Sequence, residues 1–315
     1  MTAPNGILVV DKPAGWTSHD VVARTRRLAD TRKVGHAGTL DPMATGVLVL
    51  GLGASTRLLT YVVGSDKEYL ATIRLGASTT TDDAEGESLG WAPADRIRAI
   101  TPERLSAAVE HFTGDIEQVP SSVSAIKVDG KRAYAKVRAG EQVELKARPV
   151  TVSVFDVLAT RGAVVEGNVA LDVDVRVVCS SGTYVRALAR DLGVALLCGG
   201  HLTALRRTRV GPFEVKDAHE LDALDVAAAL IPPAMAAASL FPVLALTDDQ
   251  AIDLGHGKRV AVDSDDVEIT AAVSPSGRLI GLATVRDSTA RTIVNLPDEQ
   301  RATSGNDAAA DEESR

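Results

Sequence analysis

The segment Gly35-His36-Ala37-Gly38-Thr39-Leu40-Asp41-Pro42-Met43-Ala44-Thr45-Gly46 holds three glycines, one proline and a single carboxylate. Glycine tolerates backbone angles that other residues refuse, so such a loop can approach a bulky ligand closely. Asp41 is its one candidate nucleophile. An ionised carboxylate can attack an electrophilic carbon or stabilise developing positive charge. Taken alone, Asp41-Pro42 also reads as an ordinary turn. The flanking glycines and the apolar run Val47-Leu48-Val49-Leu50 favour a built loop at the end of a strand.

Cations and aromatic rings are the other groups that could act with Asp41. The formal net charge is −8, which argues against a polyanion partner until its distribution is considered. Residues 297–315 carry six acids and two arginines, which is half of that charge. Basic residues cluster in three places: Arg24, Arg26, Arg27, Arg32 and Lys33; then Lys127 to Arg148; then His201, Arg206, Arg207 and Arg209. One such cluster reads as a solvated face, whereas three on an acidic chain point to a polyanion-binding face. Only 3% of residues are aromatic, so each tyrosine carries weight.

The elements that must position these groups follow from periodicity. Ile7–Val10 and Val47–Leu52 read as buried strands, and Tyr69, Ala71, Ile73 and Leu75 mark a strand with one buried face. Thr17 to Asp20 is a capping box for a helix that buries Val21, Val22 and Leu28. Thr79–Gly90 reads as a loop. Thr101-Pro102 starts a helix with Leu105, Ala108, Val109 and Phe112 on its apolar stripe. Val150–Leu158 and Leu171–Val178 are further strands, and Thr183 is expected to cap a helix running to Gly199-Gly200. The Ala-rich stretch 227–240 is a helical connection broken at Pro232-Pro233. Strands then recur at 268–273, 279–285 and 292–296. Without a regular β-α period, the expected class is α+β with a mixed, largely antiparallel central sheet. The domains read as 1–240 for the main body, 241–297 for a small β-rich unit, and 298–315 for an acidic disordered tail.

No apolar run approaches the roughly 18 to 20 residues needed to span a bilayer. The N-terminal residues show no basic region followed by an apolar one, so no secretory signal is expected and a cytoplasmic protein is. Cys179 and Cys198 stand apart with no C-x-x-C pattern, so reduced, buried thiols are expected and a metal site is not.

Several motifs occur in the order that characterises the bacterial tRNA pseudouridine synthases acting on the T-loop uridine, conventionally position 55. They are Asp11-Lys12-Pro13-Ala14-Gly15-Trp16-Thr17-Ser18, the Asp41 loop, Lys67-Glu68-Tyr69, and Arg74-Leu75-Gly76 with Thr79, Thr81, Asp83 and Gly86. Gly114 to Ser121, Ser124 to Lys127, Cys179 to Arg186, and Leu205-Arg206-Arg207 complete the series. The chain resembles that family across most of its first 210 residues. The resemblance implies a pseudouridine synthase fold followed by a PUA-like RNA-binding domain at 241–297. It implies isomerisation of uridine in the tRNA T-stem-loop after base flipping, with no cofactor, no metal and no obligate protein partner. Asp41 corresponds to the nucleophile, with Tyr69 and Arg186 as its catalytic companions. His36, Tyr184, Leu205, Lys12 and Lys67 correspond to substrate-binding positions. Attack at C1′, attack at C6 and elimination to a glycal all remain open as pathways.

Other readings compete with this one. Gly51-Leu52-Gly53 after a strand mimics a dinucleotide fingerprint, but Thr56 replaces its third glycine and no βαβ repeat follows. A non-catalytic RNA-binding or tRNA-folding protein, or a related synthase acting on another RNA, would share the same groove.

Overall fold

The computed structural model describes residues 4–121, the backbone of 127–128 and 131–132, and residues 145–297. The basic stretch between 122 and 144 lies largely outside the described residues, as does the acidic tail from 298. The chain forms two compact units. One comprises Asp41–Gly46 with Gly64–Val210. The other comprises the residues up to Leu40, Val47–Val63 and the chain from Gly211 onward.

In the first unit five antiparallel strands lie in the order Gly200–Val210, Lys67–Leu75, Asn168–Cys179, Arg148–Val165 and Gly114–Gln118. Thr45 and Gly46 pair in parallel with Arg206 and Arg207, which makes the sheet mixed. The alternation expected for Lys67–Leu75 is present: Tyr69, Ala71, Ile73 and Leu75 are buried, together with Val173, Val175, Val177 and Leu205. The helix Val185–Ala195 contributes Leu188, Ala189 and Leu192 to this core. The alternate positions carry charge instead. Arg74 forks onto Asp172 at 2.8 and 2.9 Å, Arg176 reaches Glu68 at 2.8 Å, and Thr72 and Arg161 both donate to Asp174. Cross-strand pairs of this kind contribute about 0.2–1 kcal/mol each.

Several boundaries differ from the sequence reading. The strand expected at 150–158 extends from Arg148 to Val165 and turns into its partner through Glu166 (φ +51°) and Gly167 (φ +80°). Two consecutive left-handed residues match the right-handed twist of the flanking strands, so the hairpin continues past the apolar pattern. Thr79–Gly90 is not all loop: Ala77–Thr79 and Ser88–Trp91 pair antiparallel at its ends. Thr183 does not cap the next helix. Its hydroxyl donates to the Ser180 carbonyl, and Tyr184 takes the cap position. That helix stops at Ala195, and Gly200 already belongs to a strand.

In the second unit, Gly6–Lys12 pairs in parallel with His219–Glu220, and Val34–His36 pairs antiparallel with Leu50–Leu52. The capping box of the helix Ser18–Leu28 forms as read. Thr17 N–H donates to Asp20 at 2.9 Å, and Asp20 N–H donates to Thr17 Oγ1 at 3.1 Å. Val21, Val22 and Thr25 form its buried face, while Leu28 is exposed. The core gathers Leu8, Val10, Val34, Leu48, Leu50 and Leu224. Ser18 Oγ accepts from the Leu40 N–H at 2.9 Å and donates to the Leu40 carbonyl at 3.2 Å, fixing the residue before Asp41 in sequence. Toward the C-terminus five strands form a separate sheet, and a helix unforeseen in the sequence, Asp248–Gly255, packs Leu254 against Ile280 and Val285. Among the described residues no helix is long and apolar enough to cross a membrane.

Gly46 shows why its loop needs glycine. Its φ is +101°, and a Cβ there would meet the Arg207 carbonyl oxygen at 2.1 Å. Both faults act together in Gly46→Ala, which should lower stability by about 2 kcal/mol or more in a denaturant melt. An unchanged midpoint would contradict the close approach.

Candidate active site

Arg186 is the second residue of the helix Val185–Ala195, so its guanidinium emerges where the helix dipole favours anions. Asp41 meets it with both oxygens. Arg186 Nε lies 3.0 Å from Asp41 Oδ2, and Nη2 donates to Oδ1 at 3.2 Å. Nη1 donates to the Thr81 carbonyl at 3.0 Å and lies 3.5 Å from Asp83 Oδ2. Every guanidinium nitrogen is therefore engaged. That matters because the Arg186 side chain is only 5% exposed and a buried cation must be fully paired. Asp83 is as deeply buried, whereas the Asp41 carboxylate keeps 33% exposure. One cation shared between two carboxylates leaves the pair with Asp41 incompletely neutralised, and Asp41 is the member open to an incoming molecule.

The loop that supplies Asp83 is tied down locally. Thr79 Oγ1 donates to the Asp83 carbonyl at 2.7 Å, and Asp83 Oδ1 accepts from Thr81 Oγ1 and the Glu85 N–H. A Cβ on Gly86 would strike Thr81 Oγ1 at 2.4 Å. Asp82 adopts φ +61°, and its carbonyl accepts from the Leu202 N–H at 3.0 Å. Arg190, one turn beyond Arg186, reaches the Asp82 carboxylate at 3.3 Å.

Tyr69 is buried on Lys67–Leu75, directly opposite Arg207 in the strand pairing. Burial raises its hydroxyl pKa above the usual tyrosine range; the Asp41 charge adds to this, and Arg207 opposes it through charge and a hydrogen bond. A guanidinium only donates, so the phenol oxygen accepts from Arg207 and its own proton points elsewhere. Leu205 shares the Tyr69 face of the sheet and is buried beside Ala71. Tyr184 stands at the helix cap, half-buried.

The remaining sequence candidates have structural tasks. Lys12 is fully buried, and its ammonium donates to the Pro13 and Trp16 carbonyls at 2.9 and 2.6 Å, closing the turn before the Ser18 helix. Lys67 is buried with its ammonium on the Ser65 carbonyl at 2.6 Å. His36 lies in the other compact unit, edge-on to His19 with ring centroids 5.6 Å apart. The third basic cluster is split: Arg206 and Arg209 are partly exposed, whereas Arg207 and His201 are buried, and His201 Nδ1 bonds the Ala77 carbonyl at 2.9 Å. Strand parity carried the missed signal, since Arg207 shares the inward phase of Leu205. Asp83 and Gln118 were within recognised motifs but had no assigned task. Cys179 and Cys198 are buried and unbridged, and burial pushes both thiols up to about 11. Among the described residues no cluster of three or more His, Cys, Asp or Glu side chains could hold a metal ion.

The mixed sheet that holds this carboxylate–guanidinium pair is that of the pseudouridylate synthases, and the chain belongs to their TruB family. The profile of that family's N-terminal domain matches residues 26–185. Those of the tRNA pseudouridylate synthase B C-terminal domain and the tRNA pseudouridine synthase II C-terminal domain match 186–245 and 241–297. More particularly, the chain is 60% identical to the tRNA pseudouridine synthase B of Leifsonia xyli, over 95% of this chain and 98% of that protein. It is 54% identical to the protein of the same name from Thermobifida fusca, over 92% and 98%. Among solved structures, a Cbf5-Nop10-Gar1 complex matches with a TM-score of 0.67 at 25% identity, over 95% of this chain and 85% of the matched one. An H/ACA RNP bound to a substrate RNA containing 2′-deoxyuridine shares the fold, with a TM-score of 0.66 at 23% identity over 93% and 86%.

Burial, and then the charge of Arg207, pushes the Lys67 ammonium from 10.5 down to about 8. Between those two values the unfolded chain binds more protons than the folded one, so this group makes stability rise with pH across that window. The stability of the wild type relative to Lys67→Met should therefore increase from pH 8 to 10.5, read as the gap between denaturant midpoints. A gap independent of pH would refute the depressed pKa.

Proposed function

We propose that this protein converts uridine to pseudouridine in the T-loop of tRNA, at conventional position 55, by flipping the target base and using Asp41 as nucleophile. The observation that carries this reading is the two-oxygen contact of Asp41 with a buried arginine at a helix N-terminus. An opposite charge beside a carboxylate favours its ionised form, which is the form that attacks. Family membership and relatives named tRNA pseudouridine synthase B support tRNA as the substrate.

The reaction breaks the uracil N1–C1′ bond, rotates the base and joins C5 to C1′. The C5 proton leaves and N1 gains one, so the isomerisation needs no redox change. Asp41 serves at the start, Arg186 holds it charged and aimed, and Tyr69 packs against the detached base. Flipping costs a few kcal/mol, and stacking on an aromatic ring returns about 1–3 kcal/mol. Tyr69 is protonated near neutral pH as any tyrosine is, and burial shifts it further that way, so its hydroxyl is a hydrogen-bond donor at the start of the cycle. Leu205 and Tyr184 complete the wall of the uracil pocket in this reading, with His36 filling the space the base vacates. The C-terminal five-stranded sheet is assigned to RNA contact as a PUA-like domain.

Incubation with unmodified tRNA transcript, followed by mapping of pseudouridine at nucleotide resolution, tests the proposal. The wild type should modify the single T-loop uridine. Asp41→Asn should abolish conversion while leaving tRNA affinity within about threefold, because the amide keeps the volume but loses the charge. Turnover by Asp41→Asn, or modification elsewhere in the tRNA, would overturn the assignment.

A further inference from the structure

The helix that carries Arg186 begins without a capping side chain of its own: Tyr184 stands at the cap position and makes no side-chain bond to the first turn. Gln118, the last residue of the strand Gly114–Gln118, grips the cap residue itself. Its Oε1 accepts from the Tyr184 N–H at 2.8 Å, and its Nε2 donates to the Tyr184 carbonyl at 3.1 Å. The side chain thus imitates a strand neighbour and holds one peptide position at two points. Gln118 is 2% exposed, so water cannot stand in for it.

The next residue repeats the tie. The Val119 carbonyl accepts from Arg190 Nη2 at 2.7 Å, and Arg190 Nη1 reaches Asp82 at 3.3 Å. Asp82 precedes Asp83, which faces Arg186. The end of this strand is therefore bonded to the helix on both sides of Arg186, two residues before it and four after. A helix start held only by its own backbone frays, because its first N–H groups have no intrahelical partner. A small displacement there would break the two-oxygen match between Arg186 and Asp41, since a forked contact depends on angle as well as distance.

We infer that Gln118 is a positioning residue for the proposed reaction: its amide fixes the start of the Val185–Ala195 helix and so the aim of Arg186 at Asp41. This rests on the function proposed above. Gln118 acts on the Tyr184 backbone and not on Asp41, so its loss should slow the chemical step while leaving tRNA binding nearly intact.

Gln118→Leu removes both bonds at similar volume, and Gln118→Glu keeps only the acceptor. Single-turnover conversion of saturating unmodified tRNA transcript should fall about tenfold in Gln118→Leu and less in Gln118→Glu, with the dissociation constant for tRNA within about threefold of wild type. Amide exchange across residues 183–190 should rise in Gln118→Leu. As a control for general destabilisation, Ser55→Ala deletes the bond from the buried Ser55 hydroxyl to Asn5 Oδ1 in the other compact unit and should leave the single-turnover rate unchanged. The inference fails if Gln118→Leu keeps the full rate, if rate and affinity fall in equal proportion, or if exchange over 183–190 does not change. Should Gln118→Leu not fold, the smaller rate loss in Gln118→Glu decides. A wild type unable to modify tRNA would instead overturn the proposed function, while the exchange measurement still judges the clamp.

Discussion

The buried guanidinium of Arg186 is the constraint around which the first compact unit is organised. A cation removed from water is tolerated only when its donors are met, and Arg186 meets them with Asp41, Asp83 and the Thr81 carbonyl. These partners come from two parts of the chain remote from the helix: the glycine loop supplies Asp41, and the Thr79–Gly90 segment supplies Asp83 and the Thr81 carbonyl. Moving any one leaves a buried charge unpaired. The pair is thus also a structural lock, and it explains why so many small bonds surround the Thr81–Asp83 turn. Asp41 meets Arg186 with both oxygens and keeps 33% of its side chain exposed, whereas Asp83 is buried and tied to Thr81 and Glu85 as well.

A second cation lies deeper. Arg207 sits on the same sheet face as Tyr69 and Leu205, one strand away from Lys67–Leu75. Its backbone abuts Gly46, at the end of the Asp41 loop, so closely that no side chain fits between them. The same residue therefore sets the loop through its backbone and the tyrosine through its side chain. Lys67 is pushed down by burial first and then by the charge of Arg207, a second cation at this end of the sheet. Such crowding is unfavourable by itself and is sustained by the packed apolar sheet on which it stands.

Much of the fold was readable from local pattern. The alternation through Tyr69–Leu75 gave both the strand and its inward face, and the Thr17–Asp20 box gave a helix start to the residue. Local pattern failed where longer-range pairing decided the outcome. The hairpin at Glu166-Gly167 extends a strand through the largely exposed residues 159–165, because cross-strand hydrogen bonds and ion pairs hold it. Thr183 looked like a cap and was not one: its hydroxyl turns back to the Ser180 carbonyl, and the cap residue Tyr184 is held by Gln118, 66 residues away. The basic run from His201 to Arg209 looked like a surface patch because a list of charges carries no strand parity.

The sequence by itself determined the strands and helices on which the candidate groups stand and, through family resemblance, which groups to consider: one carboxylate in a glycine-rich loop, an arginine beside a helix start, and a tyrosine on the buried phase of a strand. The elements follow from residue type and short spacing, which local sterics and hydrophobic periodicity fix. Only the tertiary structure decided their partnership. It set Arg186 against Asp41 across 145 positions of sequence, gave Arg186 a second carboxylate in Asp83, and turned Arg207 inward to Tyr69. The physical reason is that a buried charge takes its geometry from whatever the packed chain brings within hydrogen-bond reach, and nothing in a linear sequence records that distance.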